Sequence, residues 1–132
     1  MTDQLTIVLT ALEGYVDGLL KRLVLNTVAN LVAPPALGGT PVDTGWARAN
    51  WVPRIGSSTT GAVGSRESVS TSEQQAGVAS IVMGYGSKKG PAYITNHVPY
   101  IGRLNEGHSK QAPRGFVQAA IQRAVEQSVR GT

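Results

Sequence analysis

The residue group with the clearest chemical potential is Asp43-Thr44-Gly45, a carboxylate and a hydroxyl set on a glycine turn. One use for such a carboxylate is acid–base work as half of a pair, sharing a proton with a second carboxylate a few ångströms away in a buried site. This chain carries the triplet once, so a second copy would have to supply the partner. The competing use is structural. Aspartate and threonine at the start of a helical turn accept backbone N–H bonds and cap it. The lead-in, Gly38-Gly39-Thr40-Pro41-Val42, is a turn-rich linker rather than an apolar strand, which favours the cap.

Other reactive groupings are weaker. His97 and His108 are eleven residues apart, with Glu106 the one carboxylate between them. No i, i+4 pair and no H-E-x-x-H pattern forms, so no metal site is expected. The serines include no G-x-S-x-G elbow. Gly84 to Gly90 is glycine- and lysine-rich but lacks the order of a phosphate-binding loop, and reads as a lysine-bearing hairpin. No cofactor is expected. Asp43-Thr44-Gly45 resembles the catalytic triplet of retroviral-type aspartic proteases, and Ile101-Gly102-Arg103 echoes a later element of those enzymes. That fold, however, is nearly all β. A homodimeric protease using Asp43 therefore stands as an alternative to a non-enzymatic role.

The elements that must position these groups follow from hydrophobic spacing. Leu5, Leu9, Leu12, Val16, Leu19, Leu20, Leu23, Thr27 and Leu31 recur at three- and four-residue steps, which predicts one helix over 3–33. Thr2 is its expected N-cap, and Pro34-Pro35 stops it. A second set, Ile7, Val8, Tyr15, Val24, Leu25, Val28 and Val32, widens the stripe, so the helix is expected to pack on two layers. At 1.5 Å per residue it is about 45 Å long. A domain of this length has a radius of gyration near ~14 Å, so the helix must bend or project.

Residues 46–55 are expected to begin as a helical turn capped by Asp43 or Thr44 and to enter a strand near Trp51, with Pro53 at an edge or bulge. Residues 56–76, mostly small and polar, read as a flexible loop. Ala79, Ile81, Met83 and Tyr85 alternate with Val78, Ser80, Val82 and Gly84, which predicts a strand over 77–86. A hairpin at 86–90 and a returning strand over 91–96 follow. Pro99 opens a short helical segment. Pro113 sits where a last helix would start, with Phe116, Val117, Ala120, Ile121, Ala124, Val125 and Ser128 on one face and Gly131 at its end. The fold class is α+β: a long N-terminal helix and a C-terminal helix packed on a small antiparallel β-sheet, in a single domain over 1–132.

The 132 residues hold 12 Lys+Arg against 8 Asp+Glu, and no cysteine. No disulfide or Cys-based zinc site can form, which suits cytoplasmic assembly. The basic residues are scattered, without a run or aromatic interleaving. The excess leaves a nucleic-acid-binding module as a further alternative and allows proximity to DNA. Met1-Thr2-Asp3-Gln4 lacks the positive start of a signal peptide, and no run of about 20 apolar residues occurs, so no membrane span is expected.

Two segments resemble a known family. The first is Thr40-Pro41-Val42-Asp43-Thr44-Gly45-Trp46-Ala47-Arg48-Ala49-Asn50-Trp51. The second runs from Ala92-Tyr93-Ile94-Thr95-Asn96-His97-Val98-Pro99-Tyr100 through Leu104-Asn105-Glu106-Gly107-His108-Ser109-Lys110-Gln111-Ala112-Pro113 to Val117. Together they resemble the tail-completion or neck proteins of tailed bacteriophages, the group of minor tail protein Z. That family has Pro-Val-Asp-Thr-Gly with a following Arg and Asn-Trp, then Tyr-Ile-x-Asn-x-x-Pro-Tyr, a Leu-Glu-x-Gly-like step and Ser-x-Gln-Ala-Pro-x-Gly. Here Asn105 intervenes between Leu104 and Glu106, and the family's aromatic near Glu-Gly is missing.

The resemblance implies a structural virion protein. Copies would form a homo-oligomeric ring, a hexamer, at the head–tail junction. Neighbours would be the connector or stopper on one side and the tail terminator or tail tube on the other. The expected structural and interface residues are Asp43, Thr44, Gly45, Trp46, Arg48, Asn50, Trp51, Tyr93, Asn96, Pro99, Tyr100, Leu104, Glu106, Gly107, Ser109, Gln111 and Pro113. Independently of the resemblance, Trp46, Trp51, Tyr93 and Tyr100 offer large contact area.

Overall fold

A computed structural model describes residues 2–42, 45–59, 61–64 and 71–130. The chain is α+β, as expected: a long first helix and a last helix pack on a small antiparallel sheet. Helix α1 runs Thr2–Val32, so Thr2 lies inside the helix rather than capping it. Pro34-Pro35 ends it, and a 3-10 turn, Pro35–Leu37, follows. Helix α2 is Trp46–Ala49, strand β1 Val52–Ile55, helix α3 Ser72–Gly84, strand β2 Ala92–Thr95, helix α4 Ile101–Asn105 and helix α5 Phe116–Arg130.

The sheet has two strands, β1 antiparallel to β2, with Val52 opposite Thr95 and Ile55 opposite Ala92. Gly56 N–H extends the ladder to Pro91 O at 2.8 Å. The partner of β2 is therefore β1 and not residues 77–86. The expected 77–86 strand is a helix, α3, which starts at Ser72 and takes in the end of the expected 56–76 loop. Gln74, Gly77 and Ile81 are its buried positions and Tyr85, also buried, follows as its C-cap, a three- and four-residue repeat. Ile81 and Tyr85 belong to the alternating set as well, which is why a period of two fitted. Thr71 caps the helix, its Oγ1 accepting the Gln74 N–H at 3.1 Å and donating to Ala49 O at 2.9 Å. No hairpin forms at 86–90; a 3-10 turn occupies Ser87–Lys89.

α3 lies directly on β1. A Cβ on Gly77 would fall 2.2 Å from Pro53 O, so glycine is what lets helix and strand backbones touch. α5 runs antiparallel to α1. It begins near Leu31, which shares a core cluster with Phe116 and Ala120, and ends beside Arg22 and Asn26, which reach Ser128. Asn30 Nδ2 donates to Ala120 O and to Gln127 Oε1, both at 3.0 Å. Ala120 and Ala124 have no exposed surface. Their small size allows the close approach that brings a backbone carbonyl within reach of Asn30. The expected α5 face is thus shifted. Phe116, Ala120, Ala124 and Ser128 are buried, whereas Ile121 and Val125 are exposed. The helix begins at Phe116, after Pro113, and its expected stop, Gly131, lies outside the described residues.

Among the described residues two apolar clusters lie against the sheet. One joins Leu31, Trp51, Ala112, Phe116 and Ala120; the other joins Val24, Ile81 and Tyr85; Ile94 of β2 packs against both. Both draw on α1 only from Leu20 onward. Residues 3–16 of α1 are exposed at every position. The helix therefore projects, and its first half is an arm of about 20 Å at 1.5 Å per residue.

Candidate functional site

The two motif segments meet. Asn96 Nδ2 donates to Ala47 O at 2.7 Å, while its Oδ1 accepts Val98 N–H at 3.1 Å. Gln111 pairs with the backbone of Val42 as a strand would, accepting its N–H at 2.7 Å and donating to its carbonyl at 2.8 Å. The rings of Trp46 and Tyr100 lie 6.1 Å apart at 57°, a tilted geometry that aromatic pairs favour. Four different elements and loops are tied here by side-chain amides acting on backbone groups.

Around this junction the expected residues that the structure describes have definite places. Gly45 is the N-cap of α2 at φ 91°, a conformation that suits glycine. The expected caps, Asp43 and Thr44, lie outside the described residues. Trp46 Nε1 donates to Val63 O at 2.9 Å. Asn50, buried, accepts Val63 N–H at 2.8 Å and donates to Val63 O at 2.9 Å, so it clamps the loop that follows β1. Trp51 Nε1 donates to Thr40 Oγ1 at 2.7 Å, and that hydroxyl donates to Leu31 O at 2.7 Å. The carbonyl of Arg48 accepts from Gln74 Nε2 at 3.0 Å.

Leu104 is half-buried and packs against the Phe116 cluster. Ser109 Oγ accepts the Gln111 N–H at 3.1 Å. Gly107 stands at φ 96° in the turn after α4. Tyr93, Pro99, Glu106 and Pro113 are exposed, and Glu106 Oε2 lies 3.9 Å from His108 Nε2. Both segments line an open cleft of about 390 Å³: Pro41, Gly45 and Ala47 on one side, Tyr100, Leu104, His108 and Gln111 on the other.

Three working residues escaped the sequence reading as site members. Thr40 links Trp51 to the end of α1, Gln74 binds the carbonyls of Arg48 and Trp51, and Asn105 organises the start of α5. Asn105 Oδ1 accepts Val117 N–H at 3.0 Å, its Nδ2 donates to Gln118 Oε1 at 3.0 Å, and its carbonyl accepts Gly115 N–H at 2.7 Å. The residue that departs from the family pattern thus caps the last helix from a distance. Asn105→Ala is expected to cost about 1 kcal/mol, the usual loss for a helix cap, read as a lower urea midpoint with an unchanged slope.

Ile101-Gly102-Arg103 opens helix α4 rather than continuing a strand. His97 Nε2 is engaged with Thr59 O at 2.7 Å. Among the described residues no cluster of His, Asp or Glu could hold a metal ion, and no helix is long and apolar enough to cross a membrane. Comparison with known protein families, curated proteins and solved structures finds no match to this chain.

Proposed function

We propose that this chain is a structural virion protein of a tailed bacteriophage, one subunit of a ring at the head–tail junction that completes the tail and joins it to the head connector. The observation that carries the reading is the direct joining of the two motif segments. Residues 40–51 and 92–117 hold the whole resemblance, and they are locked together by Asn96, Gln111 and the Trp46–Tyr100 pair. A chance match of separate pieces gives no reason for the pieces to form one surface.

The surface is also of a kind suited to assembly. Half-buried Tyr100 on an open cleft, Trp46 packed beside it and proline-stiffened turns supply contact area with little rotamer freedom to lose. A ring requires two different patches per subunit, one for each neighbour; the resemblance implies six copies. The connector or stopper and the tail terminator or tube are the proposed partners above and below.

The test is a phage made without this chain. Filled heads and finished tails are expected to accumulate unjoined in electron micrographs, and supply of the chain in trans is expected to restore joined particles. Normal, infectious particles in its absence would end the reading.

A further inference from the structure

We propose that the first half of α1 docks on a second copy of this chain, setting its Leu5, Leu9, Leu12 and Val16 seam against the Ile121, Val125 and Val129 stripe of the neighbour's α5. The proposal names the contact between copies that the ring reading needs and rests on that reading for the number of copies alone.

The seam is continuous in sequence and divided in space. Leu5, Leu9, Leu12, Val16, Leu19 and Leu23 alternate steps of four and three, which lines them along one side of a helix. Beyond Leu19 that side is covered by the chain's own α5, through the contacts of Asn26 and Asn30 with Ser128, Ala120 and Gln127. Before Leu19 it is bare, because α5 ends beside Arg22. Leu5, Val8, Leu9, Leu12, Tyr15 and Val16 are 42–64 % exposed. Together they present roughly 600 Å² of apolar surface, at the upper end of the largest patch on an ordinary monomer, about 300–600 Å².

The same chain offers the helix face that fits. α5 covers its own α1 with Phe116, Ala120, Ala124 and Ser128, and beside that face Ile121, Val125 and Val129 repeat every four residues, 44–69 % exposed. Val125 and Val129 also line a shallow groove of about 90 Å³ with Leu19 and Leu23. Each α1 thus has one half covered and one half bare, and each α5 has one apolar face used and one free. One arm per α5 matches the supply to the demand. Because arm and stripe are different patches, the contact propagates head to tail and can close a ring.

Charge selects this pairing over arm against arm. Residues 1–20 hold Asp3, Glu13 and Asp17 and no lysine or arginine, while all 12 Lys+Arg lie from Lys21 onward. Within one chain Glu13 makes an exposed pair with Lys88 at 3.5 Å. An acidic arm on a basic body is complementary; two acidic arms side by side repel.

The absence of cysteine makes the test direct. A tagged Leu12→Cys chain and an untagged Val125→Cys chain, mixed and oxidised, are expected to give the mixed disulfide as the main product. Wild-type protein is expected to run at a multiple of 13.8 kDa, and Leu12→Glu at the single-chain mass with its helical content by circular dichroism unchanged. Leu12 is 55 % exposed in one chain, so the fold does not depend on it. Disulfides formed mainly between two Leu12→Cys chains would overturn the proposal in favour of paired arms. A wild-type chain that stays at single mass at 0.5 mM, on the order of the weakest specific association, would overturn it outright. Self-association with normal particles in the deletion phage would sink the neck reading and leave this contact standing.

Discussion

Phe116→Ala is expected to destabilise the chain by about 3–5 kcal/mol, the usual range for a buried phenylalanine lost from a core. Phe116 is the one phenylalanine in the sequence and is 2 % exposed. It sits at the first residue of α5 among Leu31, Trp51, Ala112 and Ala120, with Ile101, Leu104 and Val117 around them. Those residues come from α1, from the turn before β1, from α4 and from α5, so the ring fills the place where all of them converge. Total stabilities of domains are about 5–15 kcal/mol; the loss would be a large part of it. Both motif segments depend on this cluster, through Trp51 on one side and Leu104 and Ala112 on the other. The junction is therefore expected to loosen with the core. Phe116→Leu, which keeps most of the volume, is expected to cost less than about 1.5 kcal/mol. Urea unfolding of the two variants measures the difference; equal midpoints would mean that the cluster relaxes around the cavity.

The convergence on Phe116 was legible in the sequence only in part. Helices with one dominant period could be read: α1 from its leucines and α5 from Phe116 to Ser128. The boundaries set by proline could be read as well, since a missing N–H and a fixed ring act locally. α3 could not be read from its apolar residues, because Ile81 and Tyr85 satisfy a period of two and a period of four at once. What separates the periods is the polar partner set. Thr71-Ser72-Glu73-Gln74 has the spacing of a capping box, and Thr71 does cap the helix. Gln74, though, turns its side chain to Arg48 O and Trp51 O, a use that depends on tertiary structure. Gly77 behaves in the same way: its reason is the backbone of Pro53, 24 residues earlier in sequence.

The site shows a similar division. Residue types suited to contact surfaces, Trp46, Trp51, Tyr93 and Tyr100, are visible as types. Their sorting is not. Trp51 is buried at 7 % and Tyr93 is 40 % exposed, a difference set by which face of β1 and β2 meets the α1–α5 layer. Asn50, Asn96 and Gln111 stood out only through the motif resemblance and Asn105 not as a site residue, because the distant backbone groups they hold lie 12 or more residues away. The bare arm was half legible. Length against the width of a domain required α1 to bend or project, but only the end point of α5 beside Arg22 shows where the covered seam stops.

The second large effect concerns the other end of that helix. Gly39→Ala is expected to cost about 2–4 kcal/mol, because a Cβ at this position would lie 1.7 Å from Ala33 O and 2.5 Å from Ala33 C, both backbone atoms. Neither can rotate away, so the linker must lift off the end of α1. Thr40 is the next residue. Its N–H donates to Leu31 O at 2.9 Å and its hydroxyl to the same oxygen at 2.7 Å, and Trp51 Nε1 donates to that hydroxyl at 2.7 Å. Thr40 has no exposed surface, and each buried polar group left unmatched costs about 1–3 kcal/mol. Displacing Gly39 therefore disturbs the carbonyl at the end of α1, the threonine and the tryptophan together. Gly14→Ala is the contrasting case. A Cβ there meets nothing, and alanine is favoured over glycine inside a helix by about 0.8–1.0 kcal/mol. Because the arm makes little contact with the core, that gain is expected as slower hydrogen exchange and higher helicity over the arm, with little change in the unfolding midpoint. The same added methyl group should thus destabilise the whole chain at one glycine and only stiffen a projecting helix at the other. A comparable loss of midpoint at both positions would show that the arm is part of the cooperative core.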